Sequence, residues 1–194
     1  FSNEVSGVPT GVAPRPTKNY TVTTNPPGLQ VAVDGVTYTA PQEFTWEIGS
    51  THSLSVPSPQ IGEPGVRYVF GYWNDRRAQS HTITAPSSSS SSPYTANFTT
   101  QYSLTTSVNL TEGGSVSPSG TLWYKKSQRI ALLARAKSGY VFNGWSGDAS
   151  GLGSRVYLTM DGPKNVMGNF KLKPFIRVNT PNGGESYLVG VPVT

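Results

Sequence analysis

Two parts of this 194-residue chain resemble each other at a constant separation. The anchors of the resemblance are Tyr68, Trp73, Asn97 and Phe98 in the first copy and Tyr140, Trp145, Asn169 and Phe170 in the second. Each anchor lies 72 residues before its counterpart. Because self-similarity at a fixed offset is the signature of a repeat architecture, the sequence predicts two homologous units, at residues 20–100 and 101–172.

The pattern inside each unit is typical of strands. Apolar residues alternate with polar ones in short runs, as in Ile130-Ala131-Leu132-Leu133-Ala134, and the 21 Gly and 16 Pro of the chain punctuate these runs with turns. Asp34-Gly35 lies between two alternating runs and predicts a hairpin. Segments 154–160 and 164–171 predict a final pair of strands around Asp161-Gly162-Pro163. We therefore expect an all-β fold of two small tandem repeat domains with antiparallel sheets and little or no helix.

The two ends of the chain lack this alternation. Residues 1–19 contain three prolines and predict a linker or an edge segment. Residues 173–194 predict a linker and the first strand of a third domain, without a partner in this chain. Because neither end shows the pattern of a signal peptide or a sorting tail, we expect the chain to be a segment of a longer protein, monomeric within that longer chain.

Composition excludes several classes of protein. The chain has no cysteine, so it can form neither disulfides nor zinc–thiolate sites. No run approaches 18 apolar residues, so no membrane span is expected. The net charge of +5 is uneven, since residues 20–100 hold three Arg against five acidic residues, whereas residues 101–171 hold eight Lys and Arg against three. The basic excess belongs to the second unit, and no nucleic-acid-binding motif accompanies it.

The second unit resembles a known family. The segments Glu112-Gly113-Gly114-Ser115-Val116, Gly139-Tyr140-Val141-Phe142-Asn143-Gly144-Trp145-Ser146-Gly147-Asp148 and Asn169-Phe170 are similar to the divergent internalin-type B repeats of bacterial surface proteins. The likeness covers nearly all of residues 101–172. It implies extracellular, non-catalytic modules with small β-rich folds, some of them β-grasp-like, and it implies no defined ligand.

Two further likenesses concern shorter segments. The first unit keeps the tyrosine–tryptophan and Asn-Phe anchors, but the segment with Pro26-Pro27-Gly28 and Val31-Ala32-Val33-Asp34-Gly35 resembles the PEGA type of surface-layer module. Residues 20–56 therefore fit either family. Residues 176–185 resemble the first strand of an immunoglobulin-like domain of bacterial exoproteins.

The repeated aromatic residues have two interpretations. They form an exposed platform for sugar rings or peptide, or they are core residues, in which case Tyr68, Phe70 and Tyr72 share one strand face and Trp73 anchors the strand end. Recurrence in both copies favours the core. The densest basic cluster, by contrast, lies on polar strand positions and is a possible polyanion-binding patch, made of Lys125, Lys126, Arg129, Arg135 and Lys137. The alternative for this cluster is an ordinary solvated strand face.

Catalytic and metal sites have weak signals. Ser146 lies in Gly-Trp-Ser-Gly-Asp, which departs from the nucleophile elbow because Asp148 stands where its last glycine is required. Both histidines, His52 and His81, lie in the first unit, far in sequence from this serine. Asp148 follows a glycine and Asp161 precedes one, so both lie in predicted turns. A carboxylate in such a turn either ligates calcium or accepts hydrogen bonds from backbone amides. We expect no catalytic residue, cofactor or metal.

Two functions fit these observations. The first is a non-catalytic spacer or adhesin-type repeat segment of a larger bacterial secreted or surface protein. The alternative is a carbohydrate- or cell-wall-binding accessory module of a secreted hydrolase. In both cases the expected location is extracellular or on the cell surface, with wall polysaccharide, extracellular polysaccharide or a surface protein as the expected partner.

Overall fold

The computed structural model of the chain describes residues 14–88 and 93–174, which form strands and turns and no helix. The protein is all-β, as its alternating pattern predicts. In chain order the strands are β1 (Thr17–Asn25), β2 (Gln30–Val33), β3 (Val36–Thr39), β4 (Gln42–Glu47), β5 (Thr51–Ser55), β6 (Gln60–Ile61), β7 (Val66–Trp73), β8 (Ser80–Thr84), β9 (Tyr94–Val108), β10 (Gly114–Ser117), β11 (Gly120–Lys125), β12 (Arg129–Ala136), β13 (Tyr140–Gly147), β14 (Arg155–Thr159) and β15 (Lys164–Leu172). Among the described residues no helix is long and apolar enough to cross a membrane.

The strands group into two compact units. Within the described residues, the first comprises residues 14–60, 68–88 and 93–99, and the second comprises Ile61–Arg67 and residues 100–174. This division departs from contiguous units at 20–100 and 101–172 mainly at Ile61–Arg67. Strand β1 also begins at Thr17, inside the expected 1–19 linker. The predicted third-domain strand falls on residues 175–194, outside the described residues.

The first unit contains two groups of strands. β1 pairs antiparallel with β4 and parallel with the first part of β9, while a four-stranded sheet has the order β3-β2-β5-β8. β2 and β3 form the predicted hairpin, and its turn residues Asp34 and Gly35 have φ angles of +50° and +79°. Two successive positive φ angles match the right-handed twist of a hairpin, which explains why Asp and Gly stand there.

The second unit repeats this plan without counterparts of β3 and of the two-residue strand β6. β15 pairs antiparallel with β13 and parallel with the second part of β9, and β11 pairs antiparallel with β9. A three-stranded sheet has the order β10-β12-β14. Leu104, Leu132, Met160, Val166 and Phe170 are buried in the core of this unit. The extra hairpin strand accounts for part of the greater length of the first copy.

Each unit holds the same cluster of three aromatic rings, 72 residues apart: Phe70, Trp73 and Phe98 in the first unit, and Phe142, Trp145 and Phe170 in the second. Residues three apart on a regular strand lie on opposite faces. In β13 the register against β15 shifts between Phe142 and Gly144, and this irregularity lets Phe142 and Trp145 lie on the same face. Such a bulge re-aims the following side chain.

One expected strand face is wrong in part. Tyr68, Phe70 and Tyr72 do not all face the core of the first unit, since the side chain of Tyr72 is 58% exposed whereas Trp73 is fully buried. Simple alternation puts Tyr72 beside Phe70, but in the structure it is Trp73 that contacts Phe70, with 6.5 Å between the ring centroids.

The expected pairing of segments 154–160 and 164–171 is also wrong. β14 pairs with β12, and β15 pairs with β13 and β9, so the two segments lie in different sheets. Leu158 of β14 and Val166 of β15 show the reason. Both side chains are buried in the core of this unit, one from each sheet, so the chain must pass from one sheet to the other between these two residues. Pro163 lacks an N–H group, which disfavours a paired hairpin at this turn.

The segment Ile61–Arg67 packs within the second unit through specific contacts. The Ser103 N–H donates to the Gly65 carbonyl (2.9 Å). Arg67 Nε donates to Gln101 Oε1 (2.8 Å), and the Arg67 guanidinium lies 4.6 Å from the centroid of the Trp123 ring. The guanidinium of Arg67 thus covers part of the ring of Trp123, a residue of β11 that is only half-buried.

Candidate functional site

The repeated tryptophans are core residues, whereas the repeated tyrosines Tyr68 and Tyr140 are partly exposed. Trp73 is fully buried and Trp145 is 6% exposed. Each indole Nε1 donates to a backbone carbonyl of the loop that follows, Gln79 at 3.1 Å in the first unit and Gly153 at 2.9 Å in the second. A buried indole N–H needs such a partner. Both tryptophans are therefore fully committed to the fold and are not available to stack on a ligand.

The repeated asparagines also hold backbone and loops together. Asn97 Oδ1 accepts a hydrogen bond from Asn25 Nδ2 (3.2 Å). Asn169 Nδ2 lies 3.2 Å from the Gly144 carbonyl and 3.0 Å from Ser146 Oγ. The hydroxyl of Ser146 is thus a hydrogen-bond partner of the Asn169 amide.

The two aspartates with a possible calcium role have protein partners. Asp148 Oδ2 accepts from the Asn165 N–H (2.6 Å), which is the backbone-bonded alternative. Asp161 Oδ1 pairs with Lys164 Nζ (2.7 Å), and this hydrogen bond lowers the pKa of the Asp161 carboxyl from its ordinary value. In the described ranges 14–88 and 93–174, no three His, Asp or Glu side chains lie close enough to hold a metal ion.

A hydrogen-bonded chain in the first unit was not predicted from the sequence. Asp34 Oδ2 lies 2.6 Å from His52 Nδ1, and His52 Nε2 lies 2.7 Å from Ser50 Oγ. This is the order of groups in a serine–histidine–aspartate triad. The pairing of β2 with β5 brings Asp34 and His52 together. That pairing joins residues far apart in sequence, so no local signal could have revealed it.

The hydroxyl of Ser50 has a second partner besides His52. Ser50 Oγ donates to the Glu47 carbonyl at 2.6 Å, and a hydroxyl has one proton to give. A serine that donates to Glu47 does not direct its proton at the imidazole, as the serine of a triad does. The His52 ring stacks on Trp46 with 4.1 Å between centroids.

The register of the sheet indicates what the histidine replaces. His52 lies opposite Ile83 in the first unit, as Ile130 lies opposite Leu158 in the second. The polar chain thus occupies a position where the other copy has a plain apolar contact. His52 is half-buried, with 15% of its side chain exposed. The Asp34–His52–Ser50 chain is a way of burying a histidine with its polar atoms bonded.

Burial and hydrogen bonding have opposite effects on the pKa of the Asp34 carboxyl. Its partial burial acts to raise its pKa, but hydrogen bonds from His52 and from the backbone and side chain of Ser53, together with the attraction of His52, outweigh burial and hold the pKa below its ordinary value. A carboxyl with a lowered pKa in the folded state stabilises that state above its unfolded pKa. This contribution is lost as the pH falls through the folded pKa.

We expect the first unit to lose stability below about pH 4, the ordinary range of an aspartate, and the Asp34→Asn variant to lose this dependence. At neutral pH the variant should melt roughly 2–4 °C lower, since half of the carboxyl is exposed and the pair is worth only about 0.5 kcal/mol. Asparagine tolerates the positive φ of the turn. Calorimetric melts between pH 3 and pH 7 measure the effect.

The matched control is Asp161→Asn, which removes the other lowered carboxyl, in the second unit. It should leave the acid dependence of the first unit unchanged. If Asp34→Asn retained the full acid dependence of the wild type, the His52–Asp34 pair would not be its source.

The predicted polyanion patch does not form one cluster. Lys125 ends β11 and Lys126 lies in the following turn, whereas Arg129 and Arg135 lie near opposite ends of β12. Six residues of strand separate these two arginines by roughly 20 Å. Lys137 Nζ donates to the Thr111 carbonyl (2.9 Å) and is held there. All five side chains are exposed, and they fall into two groups: Lys125 and Lys126 are in the turn that leads to Arg129, whereas Arg135 and Lys137 lie at the other end of β12. Binding of a polyanion by these residues stays a prediction.

The structure adds a basic residue that sequence reasoning missed. Arg155 is exposed on β14 opposite Leu133 of β12. It therefore lies on the outward face that also carries Arg129 and Arg135. The expectation that β14 pairs with β15 placed Arg155 away from β12. Only the correct strand order of the three-stranded sheet assembles these arginines.

Comparison with known proteins bears on part of the chain. Residues 104–174 match the family model described as the divergent InlB B-repeat domain. No curated protein matches the chain. The matched range covers the second unit from β9 to the end of β15, including the aromatic cluster and the Gly147-Asp148 turn. The likenesses of residues 20–56 to PEGA modules and of residues 176–185 to an immunoglobulin-like strand stay predictions. In its second half, this chain carries the sequence pattern of a divergent InlB B-repeat domain.

Proposed function

We propose that the chain is a non-catalytic repeat segment of a larger bacterial secreted or surface protein, extracellular and acting as a spacer or adhesin-type stalk. The observation that carries this proposal is that the repeated tryptophans are buried in the cores of the two units. Trp73 and Trp145 are buried, and the aromatic ring cluster around each of them belongs to a core. What the two copies share is what holds a fold together, and the divergent InlB B-repeat match supports a surface module.

The proposal that the chain is not an enzyme rests on the geometry of its candidate serines. Ser50 Oγ donates to the Glu47 carbonyl, so its proton is not directed at His52. Ser146 Oγ accepts a hydrogen bond from the Asn169 amide, and neither histidine belongs to its unit. Neither arrangement supplies the nucleophile and general base that hydrolysis of an ester or amide requires.

The alternative of a carbohydrate-binding accessory module makes a different demand. Binding of neutral sugars relies on exposed aromatic faces. In the described ranges, the tyrosines with more than half of their surface exposed are Tyr72 and Tyr157, one in each unit. They do not form a platform within either unit, and this favours the spacer.

Two assays test the proposal. We expect background rates on esterase, protease and glycosidase substrates, and no retention on neutral insoluble polysaccharides such as cellulose or chitin at any salt concentration. Turnover that disappeared in Ser50→Ala or Ser146→Ala, with the fold intact by circular dichroism, would refute the non-catalytic assignment. Salt-independent retention on a neutral polysaccharide, lost in Tyr157→Ala, would favour the accessory module instead.

A further inference from the structure

The outward face of the sheet β10-β12-β14 is basic along its length. Strand alternation and register determine which side chains point outward on this face. They are Ser115, Ser117, Arg129, Ala131, Leu133, Arg135, Arg155, Tyr157 and Thr159. None of the three strands contains Asp or Glu. The face therefore presents three arginines on a surface otherwise made of short hydroxyl and apolar side chains.

Arg129 is held in a defined orientation on this face. Its guanidinium lies 4.1 Å from the centroid of the Tyr157 ring. Tyr157 stands opposite Ala131, diagonally beside Arg129. Stacking occupies the face of the guanidinium and leaves its in-plane N–H donors available. The ring thus orients a two-pronged donor that suits a carboxylate.

The three guanidinium groups have no acidic partners in the part of the chain that the structure describes. The ion pairs there use Asp34, Asp75 and Asp161, and none involves Arg129, Arg135 or Arg155. Along the strand direction, the outward rows start at Arg129, pass Tyr157 and Arg155, and end at Arg135. Positive groups therefore recur over roughly 20 Å on a flat surface.

We propose that this arginine face, formed by Arg129, Tyr157, Arg155 and Arg135, binds an extracellular acidic polysaccharide through its repeated carboxylates. Guanidinium groups pair with successive uronate carboxylates, and a sugar ring lies over the small residues between them. This goes beyond the spacer function, and the extracellular source of the polysaccharide rests on the proposed location. The alginate assay below tests the arginine face itself, whereas the neutral-glycan and hydrolase assays above test the proposed function and do not involve the arginines.

The shape of the face favours a polysaccharide over a nucleic acid. Single-stranded nucleic acids bind where several exposed aromatic side chains stack on the bases. Here one aromatic ring is exposed on the face, and Arg129 covers it. Duplex DNA is read by elements that enter a groove, whereas this face is a sheet with short side chains between the arginines.

The test uses the full chain and immobilised alginate, a polyuronate, at about 20 mM and about 500 mM NaCl. The wild type should bind alginate at low salt and weaken by at least about tenfold at high salt, because screening weakens exposed charge pairs. It should not bind neutral dextran. The triple variant Arg129→Gln, Arg135→Gln and Arg155→Gln should lose about tenfold or more of its low-salt affinity, since each lost exposed pair contributes a modest amount.

The charge-matched control is Lys125→Gln, Lys171→Gln and Lys173→Gln. These lysines are exposed and lie outside the β10-β12-β14 sheet. The control loses the same net charge and should bind nearly as well as the wild type. Equal losses in the two triple variants would mean that net charge alone governs retention, and would overturn the proposal. So would the absence of alginate binding at low salt, or a marked preference for DNA of equal charge concentration.

A single substitution separates oriented pairing from simple charge. Arg129→Lys keeps the positive charge but loses the planar fork that stacks on Tyr157. It should weaken alginate binding by roughly threefold, while circular dichroism and melting temperature stay unchanged. Unchanged affinity would contradict the role assigned to the stacked guanidinium.

Discussion

Trp145→Ala will lower the free energy of unfolding of the second unit by about 3–5 kcal/mol. The indole is 6% exposed, contacts the ring of Phe142 at 5.1 Å between centroids, and donates to the Gly153 carbonyl. Alanine leaves a cavity beside the aromatic cluster and a loop carbonyl without its donor. Trp73→Ala should cost as much in the first unit, because the equivalent indole has equivalent partners.

Hydrogen exchange measured by mass spectrometry assigns the loss to one unit, since peptides from each unit report their own protection. The control is Tyr157→Ala, which removes an aromatic side chain of the same unit that is 52% exposed. It should cost less than about 1 kcal/mol. A loss of this small size in Trp145→Ala would contradict the anchoring role of the buried indole.

Gly147→Ala is expected to destabilise the second unit by about 3–4 kcal/mol. Gly147 has a φ of +85°, and a Cβ atom there would lie 2.3 Å from the Asn165 carbonyl oxygen. The next residue, Asp148, exchanges hydrogen bonds with the backbone of Asn165. The Gly-Asp pair of the family-like motif thus keeps β13 close to β15, and alanine forces the two chains apart.

Gly139→Ala is the matched control. Its φ of +83° is nearly the same, but a Cβ atom there would have nothing within 4 Å. It should cost only the conformational penalty of about 1–2 kcal/mol. Equilibrium urea unfolding followed by circular dichroism measures both variants. Equal losses would show that backbone conformation alone requires Gly147, and that the close approach to Asn165 contributes nothing.

Local patterns predicted the parts of the fold that local physics decides. Alternation predicted strands, and the positive φ angles tolerated by Asp34-Gly35 predicted the β2–β3 hairpin, since turn type depends on two adjacent residues. The 72-residue offset pointed to tryptophans in equivalent places, and burial follows from the size of an indole. These inferences needed no knowledge of which strands are neighbours.

Strand pairing across the chain was decided by the tertiary structure alone. Alternation indicates which face of a strand is apolar, but it does not say which sheet the strand joins. β14 therefore looked like the partner of β15, although burial of Leu158 and Val166 in one core requires the two strands to lie in different sheets. The same limit hid Arg155 from the arginine face, which exists only because β14 joins β12.

The first unit shows the same division between local and long-range determination. The alternation of His52 with Leu54 and Val56 by itself predicts a half-buried position on a strand. The partners that make this burial tolerable, Asp34 and Ser50, come from a hairpin turn and from the turn before β5. Asp34 reaches the histidine only because β2 pairs with β5. A hydrogen bond needs two atoms within about 3 Å, and only the closed sheet brings residues distant in sequence to that separation.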